Sequence, residues 1–314
     1  MRRFFLSLIA ALFIVAGADA HNPREFRKLK QKINFIWASD LDRGGCYDQK
    51  VVADMMATVA KRVKPECIIS TGDTHHGRGV KSATDPRWKT HFEDIYYHKP
   101  LQIDWMPVLG NHEYMGNTQG FLDYSKVNPR WTITDRYYTR VFKKGGVSIR
   151  FVMLDTTPLV EKYRTGKHAK RYPEAAEQDK QEQLDWLKKV LSEAKEEWVI
   201  VAGHHPIYAD TKKNKSERKD MEKSVDKILR KNENVDMYIC GHIHTFQHLR
   251  RSRSHIDYLV NASAAESRSV RMIKHTKFCS DEPGFSLITV GKKSLQVHMI
   301  DKNGNILHTV KRTK

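Results

Sequence analysis

The chain has 314 residues, of which 39% are hydrophobic, and a formal net charge of +18. That length leaves ample material for the buried core of one large domain, and no apolar run is long enough for a comfortable membrane span. The excess of lysine and arginine favours anionic partners such as phosphorylated compounds, although a solvated basic surface has the same composition.

The first twenty residues are typical of an export signal. Arg2 and Arg3 precede an apolar stretch that runs to about residue 16, and a small-x-small cleavage site follows at 18–20. We therefore predict a signal peptide over 1–20 and a mature domain over 21–314. This reading places the protein outside the cell or in a periplasm.

Apolar runs and helical patterns alternate along the mature chain. Short apolar runs at 33–39 and 67–70 flank a segment in which apolar residues recur at three- and four-residue spacing, so a βαβ unit is predicted. The order of the elements along the chain predicts mixed β-sheets with helices on their outer faces. The further predicted elements are strands at 106–109, 137–142, 147–154, 198–202, 236–240, 256–260, 284–290, 294–300 and 305–310, and helices at 178–195 and 219–231.

Five of the apolar runs end in residues that bind metal ions. In open α/β sheets, sites form beyond the carboxyl ends of the strands, so we expect the five segments to converge on one edge. Carboxylate, amide and imidazole groups without a thiolate suit a two-metal hydrolytic site and not a structural zinc site. The residues are Asp40 after INFIWAS, Asp73 after CIISTG, Asn111 and His112 after MPVLG, His204 after WVIVAG, and His242 and His244 after MYICG.

The order of these motifs resembles the calcineurin-like metallophosphoesterase superfamily, and within it the small purple acid phosphatases of the tartrate-resistant type. The motifs are Asp40, Gly72-Asp73, Gly110-Asn111-His112-Glu113, Gly203-His204 and Gly241-His242-Ile243-His244. The similarity runs through nearly the whole mature chain, including QLDWLKKVL before WVIVAGHHPIY and the segment CGHIHTFQHL. It implies an α/β (α+β) catalytic domain over 21–314, built as a four-layer αββα sandwich of two mixed β-sheets flanked by helices.

The resemblance also implies a cofactor and residue roles. Two metal ions of iron, manganese or zinc would bind in each subunit, and a metal-bridging hydroxide would attack phosphorus. His112 would contact the scissile phosphate and help protonate the leaving group. His205 either reaches a substrate oxygen or orients its loop. The implied ligands are Asp73 bridging both ions, Asp40 and His244 on the first, and Asn111, His204 and His242 on the second.

Three positions depart from the family pattern. The purple enzymes place a tyrosine three residues after the bridging aspartate, and its bond to ferric iron gives the colour, whereas this chain has His76 there. Because neutral imidazole donates less charge than phenolate, we expect divalent ions to be preferred, with His76 either a ligand or uncoordinated. Asp42 stands where the family usually has glycine, and it is either a simple loop residue or an extra acidic neighbour of the site. Glu113 stands where the family commonly has aspartate.

The leading hypothesis is an exported dinuclear-metal phosphatase that hydrolyses phosphomonoesters, in the manner of an acid phosphatase. A phosphodiesterase or nucleotidase on the same scaffold is the alternative, because loops and not metal ligands set substrate size. A non-catalytic polyanion-binding protein is a third reading, against which the presence of His112 counts. The basic loops at 162–171 and 212–219 either steer anions or are solvated charge runs. They lack the interleaved aromatics of a single-stranded nucleic-acid groove, so a small phosphorylated substrate is the expected partner.

Overall fold

Most of the strands form where the apolar runs of the sequence predict them. The computed structural model describes residues 25–213 and 215–314, so the predicted signal peptide at 1–20 lies outside the described residues. The strands are β1 (Ile33–Ala38), β2 (Cys67–Ser70), β3 (Trp105–Pro107), β4 (Tyr138–Lys144), β5 (Val147–Met153), β6 (Trp198–Ala202), β7 (Met237–Cys240), β8 (Phe246–Leu249), β9 (Asp257–Val260), β10 (Thr276–Ser280), β11 (Gly284–Val290), β12 (Ser294–Asp301) and β13 (Ile306–Thr313).

The helices lie in the connections between these strands. Over the described ranges, no helix is both long enough and apolar enough to cross a membrane. The α-helices are α1 (Phe26–Leu29), α2 (Gln49–Val63), α3 (Thr118–Val127), α4 (Glu161–Arg164), α5 (Gly166–Ala169), α6 (Lys180–Glu193), α7 (Lys215–Met221) and α8 (Lys227–Leu229). Short 3-10 helices cover Lys99–Leu101, Glu113–Met115 and Pro173–Ala175, and π-helical segments cover Trp88–Glu93 and Glu222–Asp226.

Two mixed sheets pack face to face. The first has the order β13-β12-β11-β1-β2-β3 and the second the order β10-β8-β9-β7-β6-β5-β4. The ring of Phe35 on β1 contacts two rings of the second sheet, with centroids 4.9 Å from Phe142 and 4.8 Å from Phe151. Helix α2 packs on β1 and β11. The predicted αββα sandwich of two mixed β-sheets flanked by helices is confirmed.

Local sequence explains where the longer helices begin and which face they bury. Helix α2 buries the stripe Val52, Met56, Val59 and Val63, which has the predicted helical spacing. Helix α6 begins after Asp179, whose carboxylate accepts hydrogen bonds from the first backbone amides and so caps the helix.

Some elements differ from their predictions. The helix predicted at 219–231 is interrupted by the π-helical segment between α7 and α8, because one extra residue is accommodated in that turn. Strands β8 and β10 were not predicted. All four residues of β8 are buried, so it has no alternating pattern, and β10 is an edge strand whose sequence TKFCS is mostly polar.

Candidate metal centre

Parallel strands of both sheets end at one edge, and the predicted ligands follow those ends. In the first sheet β1, β2 and β3 run parallel and lead to Asp40, Asp73 and Asn111. In the second sheet the parallel strands β6 and β7 lead to His204 and His242. The two sheets therefore bring the five segments together, as their carboxyl-end positions predict.

Glycine is required where these segments approach each other most closely. A Cβ atom on Gly110 would overlap the carboxylate and amide of Asp73, and one on Gly241 would overlap the Ser39 hydroxyl. Four of the ligand positions themselves adopt a left-handed backbone, which side chains rarely do and which clusters at functional sites: Asp40 (φ 51°), Asp73 (φ 53°), His242 (φ 75°) and His244 (φ 59°).

A first group of ligand atoms surrounds Asp40 Oδ1. This oxygen lies 3.2 Å from His244 Nε2 and 3.9 Å from His76 Nε2, while His76 Nε2 lies 3.7 Å from Asp73 Oδ2. The other oxygen of Asp40 accepts hydrogen bonds from the Ser39 hydroxyl at 2.7 Å and the His242 amide at 2.8 Å. One carboxylate oxygen is thus fixed by the protein and the other faces the group.

A second group lies on the opposite side of Asp73. The Nε2 atom of His204 is 3.2 Å from Asp73 Oδ2 and 3.0 Å from His242 Nδ1. The other ring nitrogen of His204 lies 2.8 Å from the Thr71 carbonyl, a contact that fixes the tautomer and turns Nε2 inward. Asn111 is buried nearby at the end of the third strand. Asp73 Oδ2 is therefore shared by the two groups.

His112 lies beside Asp73 and His76, with a ring nitrogen within 4.8 Å of a ligand atom of each. Its Nδ1 atom is 2.9 Å from the Gly77 carbonyl, and its Nε2 atom is 3.9 Å from Asp73 Oδ2. Its backbone amide donates to Asp73 Oδ1 at 2.9 Å. With Nδ1 donating to the carbonyl, Nε2 is left facing the site as a group that can hold a proton.

His205 lies beside the second group, with a ring nitrogen within 4.8 Å of nitrogens of His204 and His242. It is fully buried, with Nδ1 2.9 Å from the Thr156 hydroxyl and Nε2 3.2 Å from the Tyr163 hydroxyl. Its ring also packs against that of His242, with centroids 4.4 Å apart. Because both ring nitrogens have protein partners, this geometry favours the loop-orienting reading of His205 over direct contact with substrate.

Two buried carboxylates hold the backbone of the ligand loops. Glu113 accepts hydrogen bonds from the amides of Asp73, His75 and Gly110 at 3.0, 3.1 and 2.7 Å. Asp42 accepts from the amide of His76 at 3.1 Å and contacts a ring nitrogen of His91 at 3.0 Å. Asp42 is therefore an acidic neighbour of the site and not only a loop residue.

The electrostatics of the two groups suit cations. Burial by itself would raise the pKa of Asp40 and Asp73, but His244 and His204 respectively hold each pKa below its ordinary value, so both stay ionised. Burial lowers the pKa of His76 and of His242, so both imidazoles are neutral, as metal ligands must be. Burial opposes protonation of His204, yet Asp73 raises its pKa to about 9, so a metal ion competes there with a proton.

The segment after His205 contributes two residues that sequence reasoning missed. Glu217 Oε2 lies 3.0 Å from His242 Nε2, which leaves Nδ1 of that ring facing the second group. Glu217 also pairs with Lys162 at 2.6 Å. The only sequence signal for Glu217 was its place as the single acidic residue in the basic run KKNKSERK.

Lys213 is the second missed residue. Its ammonium donates to the His242 carbonyl at 2.7 Å and lies 3.2 Å from Nδ1 of the same ring. An ion held at that nitrogen would be repelled by the ammonium.

Unpaired buried atoms show that the residues fit two metal ions. Within the described part of the chain, Asp40 Oδ1, Asn111 Oδ1 and both ring nitrogens of His76 are buried without a hydrogen-bond partner. Such groups are costly unless something satisfies them. Among the described residues, four sets of three side chains bring ligand atoms within 4.8 Å of one another: Asp40/His76/His244, Asp40/Asp73/His204, Asp73/His76/His112 and His204/His205/His242.

Known proteins are similar to this chain in sequence and in fold. The family model for calcineurin-like phosphoesterase matches residues 18–246. Purple acid phosphatase 3 of Arabidopsis thaliana is 29% identical over 317 residues, covering 96% of this chain and 84% of that protein. Tartrate-resistant acid phosphatase type 5 of Rattus norvegicus is 29% identical over 269 residues, covering 81% of each. The solved structure of GAP50, the anchor in the inner membrane complex of Plasmodium, has a similar fold, with a TM-score of 0.76 at 20% identity over 90% of this chain and 89% of that one.

Proposed function

The chain belongs to the calcineurin-like phosphoesterase family, and we propose that it hydrolyses phosphomonoesters at the metal centre described above. It is a dinuclear, purple acid phosphatase-like metallophosphoesterase. The observation that carries the proposal is the position of Asp73 Oδ2, which lies 3.7 Å from His76 Nε2 in one group and 3.2 Å from His204 Nε2 in the other. This position supports Asp73 as the carboxylate that would be shared by the two ions.

The proposed ligand sets follow from which atoms face each group. Asp40, Asp73, His76 and His244 would hold the first ion, and Asp73, Asn111, His204 and His242 would hold the second. Support comes from the fixed outer atoms: Ser39 binds Asp40, Thr71 binds His204 and Glu217 binds His242. Partners of this kind orient metal ligands and raise their basicity.

The protein's own groups then orient the substrate and move a proton. When bound, the two ions supply Lewis-acid stabilisation of the phosphoryl oxygens and activate water. His112, held by the Gly77 carbonyl, presents Nε2 to the leaving-group oxygen and donates a proton to it. A positioned acid of this type contributes roughly 100- to 10,000-fold in rate.

We also propose that the protein is exported, on the strength of the signal-like residues 1–20. The observations favour this activity over a role as an anchor, which is how the structural relative GAP50 is described. A fold used only for anchoring has no need of a full ligand set with unpaired atoms facing inward, nor of His112 beside it.

The proposal is tested by turnover of an aryl phosphate. We expect a chelator to abolish the activity, added divalent metal to restore it, and Asp73→Ala to remove it, while Asp185→Ala on the exposed face of α6 retains it. Faster turnover of an aryl diester than of the monoester would instead assign a phosphodiesterase. Folded protein that turns over neither ester with iron, manganese or zinc would refute the proposal.

A further inference from the structure

The loop between β9 and β10 borders two surface clefts. The first has a volume of about 360 Å³ and lies between the segment at 207–209, helix α7, Leu249, Arg251 and residues 273–275. The second has a volume of about 350 Å³ and lies between the segments at 210–212 and 269–271. Residues 269–275 are not among the proposed metal ligands or the partners that orient them, so the proposed function leaves this surface unassigned.

Two large apolar side chains stand at the tip of this loop. Met272 is 59% exposed and Ile273 is 36% exposed, and among the described residues they are the only exposed large hydrophobic residues that are neighbours in sequence. The backbone beside them is fixed, because the amide of Arg271 donates to Asp210 at 3.0 Å and that of Ile273 donates to the Thr276 hydroxyl at 3.1 Å. The fold therefore holds the two apolar side chains in solvent, as proteins do where they contact a partner or a membrane.

Cationic side chains surround the loop tip. Those that line the first cleft are Lys215, Arg218, Lys219, Arg251 and Lys274. Those that line the second are Lys212 and Arg271. Each of the two carboxylates in these linings already faces an arginine, with Glu222 3.0 Å from Arg251 and Asp210 3.6 Å from Arg271. The excess of cations makes the surface positive and complementary to an anionic one.

The first cleft is apolar beneath its basic rim. Ile207, Ala209 and Leu249 line it, together with the ring of Tyr208. The guanidinium of Arg251 lies over that ring, 4.8 Å from its centroid, so the charge is at the mouth of the cleft and the apolar groups are below it. This arrangement matches a molecule with an anionic head and an apolar chain.

We propose that this surface binds the face of a lipid bilayer that contains anionic phospholipids. Met272 and Ile273 enter the boundary between headgroups and acyl chains, and the cations of the two clefts contact the headgroups. Apolar insertion and electrostatic attraction add in such binding. A soluble polyanion would use the same cations but would leave the exposed apolar tip without a role. The proposal goes beyond phosphate ester hydrolysis and does not depend on it.

Sedimentation with lipid vesicles tests the charged part of the surface. The protein should sediment with vesicles of equal parts phosphatidylglycerol and phosphatidylcholine and stay in solution with phosphatidylcholine alone. The double variant Lys219→Ala/Lys274→Ala should lower the partition coefficient about 25-fold, roughly fivefold for each cation. Lys28→Ala/Lys61→Ala, at exposed positions on α1 and α2, removes the same charge and should sediment as the wild type does. Equal binding to both kinds of vesicle, or an equal loss in the two double variants, would overturn the proposal.

The apolar tip separates a bilayer from a soluble polyanion. Met272→Ser should lower the partition coefficient about tenfold and leave the affinity for heparin unchanged, because only a bilayer buries the methionine. Val127→Ser, at a 55% exposed position on α3, is the matched control and should bind vesicles as the wild type does. Circular dichroism shows that each variant is folded. If Met272→Ser binds vesicles as tightly as the wild type, the proposal fails and the basic surface is assigned to a soluble polyanion.

Discussion

The imidazole of His76 lies against the carboxylate of Asp73, with Nε2 3.7 Å from Oδ2. The same nitrogen is 3.9 Å from Asp40 Oδ1, and within the described ranges neither ring nitrogen has a hydrogen-bond partner. The ring is thus aimed into the first group of ligands, at the position where the family resemblance calls for a tyrosine. A neutral imidazole there should favour divalent ions over ferric iron.

Substitution of His76 tests this assignment by colour. Iron-loaded wild-type protein should lack a visible tyrosinate-to-iron band, whereas His76→Tyr should acquire one because the phenol replaces a ring already directed at the ion. His76→Phe, which has a similar ring without a ligand atom, should remain colourless and lose affinity for one ion. A charge-transfer band in the wild type would show that another tyrosine is the ligand.

Glu217 should control the affinity of the second ion. Its contact with His242 Nε2, at 3.0 Å, sets which ring nitrogen faces the ion. Glu217→Gln should therefore weaken binding of one equivalent of metal by about 10- to 100-fold, measured by competition with a chelator. Glu233→Gln, at an exposed position on the surface, is the matched control and should bind both ions as the wild type does.

Lys213 should act on the same ion in the opposite direction. Its ammonium lies 3.2 Å from His242 Nδ1 and would repel an ion held at that nitrogen. Lys213→Met removes the charge and keeps the length, so the second equivalent of metal should bind about tenfold more tightly or better. Lys212→Met removes a neighbouring exposed charge and should have a much smaller effect. Equal effects of the two variants would mean that the affinity for metal depends only on the overall positive potential around the site and not on the contact between Lys213 and His242.

Glu113 should stabilise the folded protein as well as the site. Its two oxygens accept three backbone hydrogen bonds from two ligand loops. In Glu113→Gln one acceptor becomes a donor that faces an amide, so the free energy of unfolding should fall by about 1–3 kcal/mol. Urea denaturation in the presence of a chelator measures this loss separately from metal binding. Unchanged stability would show that water replaces these bonds at no cost.

His298 should make stability depend on pH well away from the metal centre. It is buried on β12 with Nδ1 2.9 Å from the Thr309 hydroxyl, and burial lowers its pKa from 6.5 to about 4. The unfolded chain takes up this proton near pH 6.5 and the native chain only near pH 4. The contribution of neutral His298 to the free energy of unfolding is therefore complete above pH 6.5 and is lost as the pH falls to about 4.

The size of that loss is on the order of 3 kcal/mol for His298. Between pH 4 and 7, the free energy of unfolding of His298→Gln should depend less steeply on pH than that of the wild type, provided that the variant folds at neutral pH. The same slope in both proteins would assign the acid sensitivity to other groups, of which His308 is one, since burial lowers its pKa also to about 4.

The ligand segments could be predicted because each is local in sequence. An apolar run such as INFIWAS or MYICG forms a strand, and parallel strands deliver their following residues to a common edge. The orienting partners could not be predicted in this way. Glu217 reaches His242 only because the chain after β6 folds back over the site, and the basic run that contains it reads as a solvated surface. Strand β8 could not be predicted either, because all four of its residues are buried and it therefore lacks the alternation of buried and exposed residues that marks a half-buried strand.

We propose above all that one chain holds two ions, with Asp73 shared between them. The most direct measurement is a titration of metal-free protein with manganese(II), in which bound metal and aryl phosphate turnover are followed together. We expect two bound equivalents per chain and full activity only when both are bound. In Asp73→Ala, both the activity and the binding of two equivalents should be lost. Full activity with one equivalent, or two bound equivalents without turnover, would refute the proposal.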